Sequence, residues 1–200
     1  MTTIVMATGN KHKVAEMREL LAPYMGNEYR LVSMKEAGFD GDIEENGKTF
    51  AENAYIKAST VCKATGEITI ADDSGLCVDA LGGRPGVYSS RYCGDAGYDV
   101  KIPALLDELK SVPDEKRTAY FEADICCVFP DGRSEVFVGR CNGSIAYSPA
   151  GNGDFGYDPV FYYPPFGKTF AEMTKEEKNS ISHRGDAVRK FIGAFFGNGK

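Results

Sequence analysis

Between residues 68 and 81 the chain reads ITIADDSGLCVDAL, an apolar run that takes in two adjacent carboxylates, Asp72 and Asp73, and then resumes. Ionised carboxylates stay out of apolar interiors unless they are paired, hydrogen-bonded or bound to a cation. A fold built around this run must therefore bring compensating groups to both acids. The run reads as a buried strand that delivers Asp72-Asp73 into a cleft. Ser74-Gly75 is expected to turn the chain there, so that the acids face a ligand.

Strand and helix signals alternate through the rest of the chain. Residues 2–8, TTIVMAT, form another buried-strand pattern ending at Gly9-Asn10, after which Val14, Met17, Leu20/Leu21 and Tyr24 recur at helical spacing. A strand that enters a helix through such a turn makes a natural anion site, because free N–H groups and the helix dipole point into the loop. A second helix is expected from about Thr49, which with Glu52 has the spacing of a capping box. At about 100° per residue, Phe50, Ala54 and Val61 share one stripe, Lys57 falls inside it and Asn53 lies at its edge. Lys57 is then either a packed stem whose ammonium reaches water or a cation aimed into a cleft. Residues 99–111 predict a helix that buries Ile102, Leu105, Leu106 and Leu109, and TAYFEADICCVF and SEVFVGRCNGSIA flank Pro-Asp-Gly-Arg as a hairpin. Thr174 and Glu177 mark another capping box, before a final helix through AVRKFIGAFF. The mixture predicts an α/β fold with a mixed twisted sheet and flanking helices, forming one domain over residues 1–200.

Lys and Arg number 23 against 29 Asp and Glu, a net charge of −6. That balance excludes a non-specific nucleic-acid binder, which needs a broad basic surface, and leaves room for a small phosphorylated ligand held by local cations. The six cysteines form no CxxC pair and accompany only two histidines, so reduced structural thiols are expected rather than a zinc site. The N-terminus lacks a signal-peptide layout and no apolar run approaches the ~20 residues of a membrane span, which predicts a cytoplasmic protein without a membrane partner.

Four polar clusters carry chemistry. Thr8, Gly9, Asn10, Lys11, His12 and Lys13 form a phosphate-friendly loop without P-loop spacing. Glu44, Glu45, Asp72 and Asp73 form an acid set. Phe155, Gly156, Tyr157 and Asp158 make an aromatic loop that can stack on a base and offer a carboxylate to its edge. Lys178, Ser182, His183 and Arg184 gather before the last helix. Hard acids attract Mg²⁺, which binds through one or two carboxylates plus substrate phosphates, while lysines and helix N–H groups hold phosphate oxygens. Jointly the clusters predict a Mg²⁺-dependent site for a nucleoside polyphosphate.

TGNKHK, FAENAYIKA, ADDSGLCVDALGGRPGVYSSRY, GNGDFGYDPVF, FGKTFAEMTKEEKN and SHRGDAV occur in this order, and with them the chain resembles the Ham1/ITPase family from residue 3 to about 195. The resemblance implies two lobes around a central substrate cleft, a homodimer, and hydrolysis of ITP, dITP and XTP to monophosphate and pyrophosphate. It also implies that residues 8–13 form the substrate loop, with Asn10 and Lys13 nearest phosphate. Glu44 and Asp73 would hold Mg²⁺, with Glu45 the close alternative to Glu44. Asp73 would accept the proton and Ser74 would contact substrate. Phe155 to Asp158, Lys178, His183 and Arg184 would surround the nucleotide, and Lys57 would point into the cleft. Asn46 stands where many relatives have Thr, His12 occupies a variable place, and Asp154 adds charge beside the aromatic loop.

In the expected chemistry Asp73 activates a water that attacks the α-phosphorus, and no GxSxG element or Cys–His pairing suggests a covalent route. Arg184 or His183 can donate to the 6-oxo group of hypoxanthine or xanthine, whereas adenine would bury an unpaired amino donor. Guanine shares the 6-oxo group, so its rejection falls to the 2-position, which the sequence leaves open. Two other readings remain: a regulatory module that binds nucleotide without turnover, and a Maf-like pyrophosphatase with a different pocket.

Overall fold

The computed structural model describes residues 1–153 and 155–197, so Asp154 lies outside the described residues. The strands are β1 (Thr2–Met6), β2 (Tyr29–Ser33), β3 (Ile68–Val78), β4 (Thr118–Val128), β5 (Ser134–Ile145), β6 (Phe161–Tyr163) and β7 (Lys168–Thr169). Five α-helices occur among the described residues: α1 (Lys11–Met25), α2 (Phe50–Thr65), α3 (Tyr98–Glu108), α4 (Lys175–Ile181) and α5 (His183–Phe195). The strands form one seven-stranded mixed sheet in the order β2-β1-β3-β4-β5-β6-β7. β1 runs parallel to both β2 and β3, each reached through a helical crossover, while β5–β6 and β6–β7 are antiparallel. The expected α/β fold with a mixed sheet is therefore present.

The chain divides into two compact units. The first comprises Met1–Asp73, Ala123–Gly139 and Ala187–Lys200. Its strands are covered on both faces, which is why β1 reads as an unbroken apolar run. Ile4 and Met6 pack with Val14, Met17 and Leu21 of α1 and with Val188 and Phe191 of α5, whereas Val5 and Ala7 pack with Ala54, Ala58 and Val61 of α2. The same alternation puts Ile70 in the first cluster and Ala71 in the second. The Phe129–Arg133 turn closes β4 onto β5, with Phe129 N–H donating to the Arg133 carbonyl at 2.9 Å.

The second unit comprises Ser74–Glu122 and Arg140–Asp186. Leu76, Leu105, Phe121, Tyr157, Phe161 and Phe170 are central to its core, and Phe121 stacks on Phe170 with centroids 5.7 Å apart. Arg117 is buried beside this core, and among the described residues its hydrogen bonds go to backbone carbonyls. Its guanidinium donates to the carbonyls of Ile145 (2.8 Å), Leu109 (2.7 Å) and Ala146 (3.1 Å), and Tyr147 covers it at 4.3 Å. Three directed donors spread over one planar group tie β5 and the end of α3 together.

Three expectations change. β3 continues unbroken through Ser74-Gly75 to Val78, so the anticipated turn is absent. Beyond Gly75 the strand is held by Leu76 N–H donating to Ser89 Oγ and Val78 N–H donating to the Arg84 carbonyl. At the start of α2, Thr49 Oγ1 accepts from Glu52 N–H at 3.1 Å, but Glu52 returns its bond to Lys48 N–H at 2.5 Å rather than to Thr49. Gly47 presses against Glu52 (a Cβ there would lie 2.7 Å from Glu52 Cβ), which brings the Lys48 N–H within reach. The Thr174/Glu177 box is complete in both directions. Finally, His183 and Arg184 lie inside the first turn of α5 rather than before it, with Ser182 Oγ accepting from Gly185 N–H at 3.1 Å. No helix among the described residues is long and apolar enough to cross a membrane.

Candidate active site

Successive side chains of a strand point to opposite faces, and the two acids of β3 obey this. Asp72 follows Ile70 to the α1 face, where Lys13 Nζ lies 3.1 Å from its Oδ2. Asp73 follows Ala71 to the α2 face and meets Lys57 and Asn53. Asp72 is 1% exposed, so the Lys13 ammonium supplies the charge compensation that its burial requires. Lys13 sits in the first turn of α1, whose N-cap is Asn10. Asn10 Oδ1 accepts from His12 N–H (2.9 Å) and Lys13 N–H (3.3 Å), and Thr8 Oγ1 accepts from Asn10 N–H (3.2 Å). The cap spends the Asn10 oxygen, so toward an anion this side chain can offer its amide hydrogens. Gly9, Lys11 and His12 are exposed on the same loop.

On the other face Lys57 Nζ bridges Glu45 Oε2 (2.8 Å) and Asp73 Oδ1 (3.1 Å), and Asn53 Nδ2 donates to Asp73 Oδ2 (3.2 Å). Lys57 is thus the inward-pointing cation rather than a snorkelling stem. Burial alone would lower its ammonium, but Asp73 and Glu45 outweigh burial and hold it above its ordinary range. Burial pushes the Asp73 carboxyl above the usual carboxylate range; Lys57 and Asn53 offset this in part, while Glu45 adds to the rise. Glu44 is exposed, and of the two glutamates the structure brings Glu45 to Lys57 and Asp73. Among the described residues no three His, Cys, Asp or Glu side chains close into an all-protein metal site.

The second unit gathers the aromatic and cationic residues. Residues 155–160 are wound into successive turns, with Gly156 at φ +64° in the left-handed region. Tyr157 is 2% exposed and donates its hydroxyl to the Ser89 carbonyl at 3.2 Å, so it belongs to the core. Phe155 is 47% exposed and is the aromatic of this loop able to stack on a ligand. Lys178 pairs with Asp158 and stands over the rings of Phe155 (5.1 Å) and Phe170 (5.6 Å). His183 lies flat on Phe121 at 4.8 Å and 13°. Arg184 Nη2 is hydrogen-bonded to Ser74 Oγ at 3.3 Å.

Two contributors escaped sequence reasoning. Phe121 reads as an ordinary strand residue, and nothing local announces its stack with His183. Asn53 was visible only as a polar residue at the margin of the α2 stripe; its place one turn before Lys57 is the signal that could have found it. The six cysteines are free thiols, five of them buried, and burial pushes Cys126 and Cys127 up to about 12. The buried Cys126 and Cys127 thiols are therefore not nucleophiles at neutral pH.

An α/β chain that sets buried carboxylates against lysines beside a capped helix, and adds an exposed aromatic with further cations, has the equipment of a phosphoanhydride hydrolase. A model of the Ham1 family matches residues 4–194. A Clostridium perfringens protein named dITP/XTP pyrophosphatase is 47% identical over 197 residues, covering 95% of this chain and 95% of its own. A Bacillus subtilis protein of the same name is 46% identical over 191 residues, again covering 95% of each chain. The solved structure of the Staphylococcus aureus Ham1 protein superimposes with a TM-score of 0.90 at 38% identity, over 99% of this chain and 100% of that one. A HAM1 protein from Coxiella burnetii gives 0.90 at 41% identity, over 97% and 98%. The chain belongs to the Ham1 family.

Proposed function

We propose that this chain hydrolyses noncanonical purine nucleoside triphosphates, namely dITP, ITP and XTP, to the monophosphate and pyrophosphate, and that it works in the cytoplasm as a homodimer. The observation that carries the chemistry is Asp73, a buried carboxylate with a donor on each oxygen and a raised pKa. Such a group is a base placed where a water can be held against a phosphate. The water oxygen bonds to the α-phosphorus, its proton passes to Asp73, and the bridging bond to the β-phosphate breaks to release pyrophosphate.

The donor set fits a hard dication. Asp72, Asp73 and Glu45 exceed the ammoniums of Lys13 and Lys57 in charge, and all are oxygen ligands. Asp73 with Glu44, or with Glu45, which already shares Lys57 with Asp73, would hold Mg²⁺ together with oxygens of the triphosphate. When bound, Mg²⁺ offsets negative charge on the phosphates. The loop from Thr8 to Lys13 orients the triphosphate, and Lys57 keeps Asp73 ionised and in place.

Phe155 stacks on the base, with Asp158, Lys178 and His183 around it, while the buried Tyr157 supports the loop from below. Asp73 and Ser74 are peptide neighbours, so the hydrogen bond from Arg184 to Ser74 ties the base-reading arginine to the residue after the catalytic carboxylate. Arg184 then donates to the 6-oxo group. Pyrophosphate release from dITP, XTP, dATP and UTP tests this. The wild type is expected to turn over dITP and XTP about a hundredfold faster than dATP, and Arg184→Ala to cut that preference at least about tenfold while dATP hydrolysis changes little. A wild type that binds dITP without turnover would instead be a binding module, and UMP formation would indicate a Maf-like pocket.

A further inference from the structure

We propose that Asn53 is a positioning residue for this hydrolysis: its amide ties the carboxylate of Asp73 to the acid-bearing loop at Gly47 and fixes the direction in which Asp73 faces the attacking water. The inference rests on the reading of Asp73 as the base.

Asn53 is fully buried, one helical turn before Lys57. The Gly47 N–H can only donate, and it lies 2.8 Å from Asn53 Oδ1, so the oxygen of the amide must face the loop. Nδ2 is left facing Asp73 Oδ2 at 3.2 Å, while Lys57 Nζ takes Oδ1 at 3.1 Å. Each oxygen of Asp73 therefore has its own donor on α2. With one donor a carboxylate can pivot; with two set one helical turn apart it cannot. The division of labour follows from charge. Lys57 compensates the carboxylate, and Asn53, being neutral, sets direction without adding charge.

The loop is built to receive this amide. A Cβ at Gly47 would lie 2.7 Å from Asn53 Oδ1 and 2.9 Å from Asn53 N, closer than any side chain tolerates, so glycine is needed for the clasp to close. The loop that carries Glu44 and Glu45 and the strand that carries Asp73 are thus gauged from one side chain. A cap for the loop alone would need only the amide oxygen; the second arm, aimed at Asp73, is what a positioning role requires.

Asn53→Asp keeps the shape and the acceptor for Gly47 N–H but replaces the donor to Asp73 with a carboxylate oxygen. With dITP and Mg²⁺, kcat is expected to fall about a hundredfold, while KM and the affinity for the non-hydrolysable α,β-imido analogue of dITP, measured by calorimetry, stay within about threefold. In an Asp73→Asn background the same change is expected to cost less than about threefold further, because the residue it orients is gone. Asn53→Ala, read in the same way, serves if Asn53→Asp does not fold. Wild-type kcat in both variants, with Asp73→Asn inactive, would overturn the proposal and leave the base assignment standing. Equal losses in the two backgrounds, or a loss that tracks analogue affinity, would overturn it too. Wild-type turnover by Asp73→Asn would overturn the base assignment and this proposal with it.

Discussion

Asp73→Asn is expected to lower kcat for dITP by about a thousandfold or more while the α,β-imido analogue still binds. Asparagine keeps the volume and one acceptor oxygen, so the strand, Lys57 and the loop have no steric reason to move. What disappears is the ability to take a proton from water, together with a negative oxygen for a cation. The cost to the fold should be small, because two effects oppose each other. Burial holds the Asp73 carboxyl above its unfolded value, so removing the charge relieves a penalty at neutral pH. Against this, the new amide NH2 must face Lys57 Nζ or Asn53 Nδ2, both donors, and Lys57 keeps only Glu45. A variant that still unfolds cooperatively in urea yet is inactive would mark Asp73 as a residue kept for chemistry.

Lys57→Met is expected to damage both activity and stability. Methionine replaces the stem but leaves Glu45 and Asp73 facing each other on a mostly buried face without the ammonium that bridges them at 2.8 and 3.1 Å. Removing one partner of a buried ionic set is far more costly than replacing the whole set, and a loss of about 3 kcal/mol in unfolding free energy at pH 7 is expected. The loss should depend on pH in a definite direction. Without Lys57 the folded pKa of Asp73 rises further above its unfolded value. A carboxyl raised on folding destabilises the ionised protein, and this penalty fades as pH falls through the folded pKa. The gap between variant and wild type is thus expected to narrow between pH 7 and pH 5 in urea titrations without metal. A gap that widens on acidification would mean that Lys57 does not compensate Asp73. Turnover of dITP should drop about a hundredfold or more, since the base loses the cation that holds one of its oxygens in place.

Much of this arrangement was legible in the sequence because it rests on short-range patterns. The unbroken TTIVMAT run predicted a strand covered on both faces, and α1 and α2 cover it. Lys57 inside an apolar stripe left two readings, a snorkelling stem or an inward cation, and only the carboxylates it meets in the fold decide for the second. Ser74-Gly75 misled because glycine after serine usually marks a turn, yet the chain beyond it stays extended, with Leu76 N–H donating to Ser89 Oγ at 2.9 Å and Val78 N–H to the Arg84 carbonyl at 3.1 Å, contacts no local pattern announces. The placing of Asp72 and Asp73 on opposite faces followed from strand period alone, once the strand was known to continue. The capping reach of Glu52 to Lys48 depended on how closely Gly47 approaches, and the stack of His183 on Phe121 joins residues 62 positions apart, a pairing no local pattern encodes. Exposure then separated Phe155 from Tyr157, which share one motif and differ only in what surrounds them.

Single-turnover hydrolysis of dITP in ¹⁸O-labelled water, followed by mass spectrometry of both products, tests the central claim most directly. Attack on the α-phosphorus by a water that Asp73 deprotonates places the label in dIMP and leaves pyrophosphate unlabelled. Label in pyrophosphate, or release of dIDP and orthophosphate, would mean that the attack falls elsewhere on the triphosphate and that Asp73 does not play the part assigned to it.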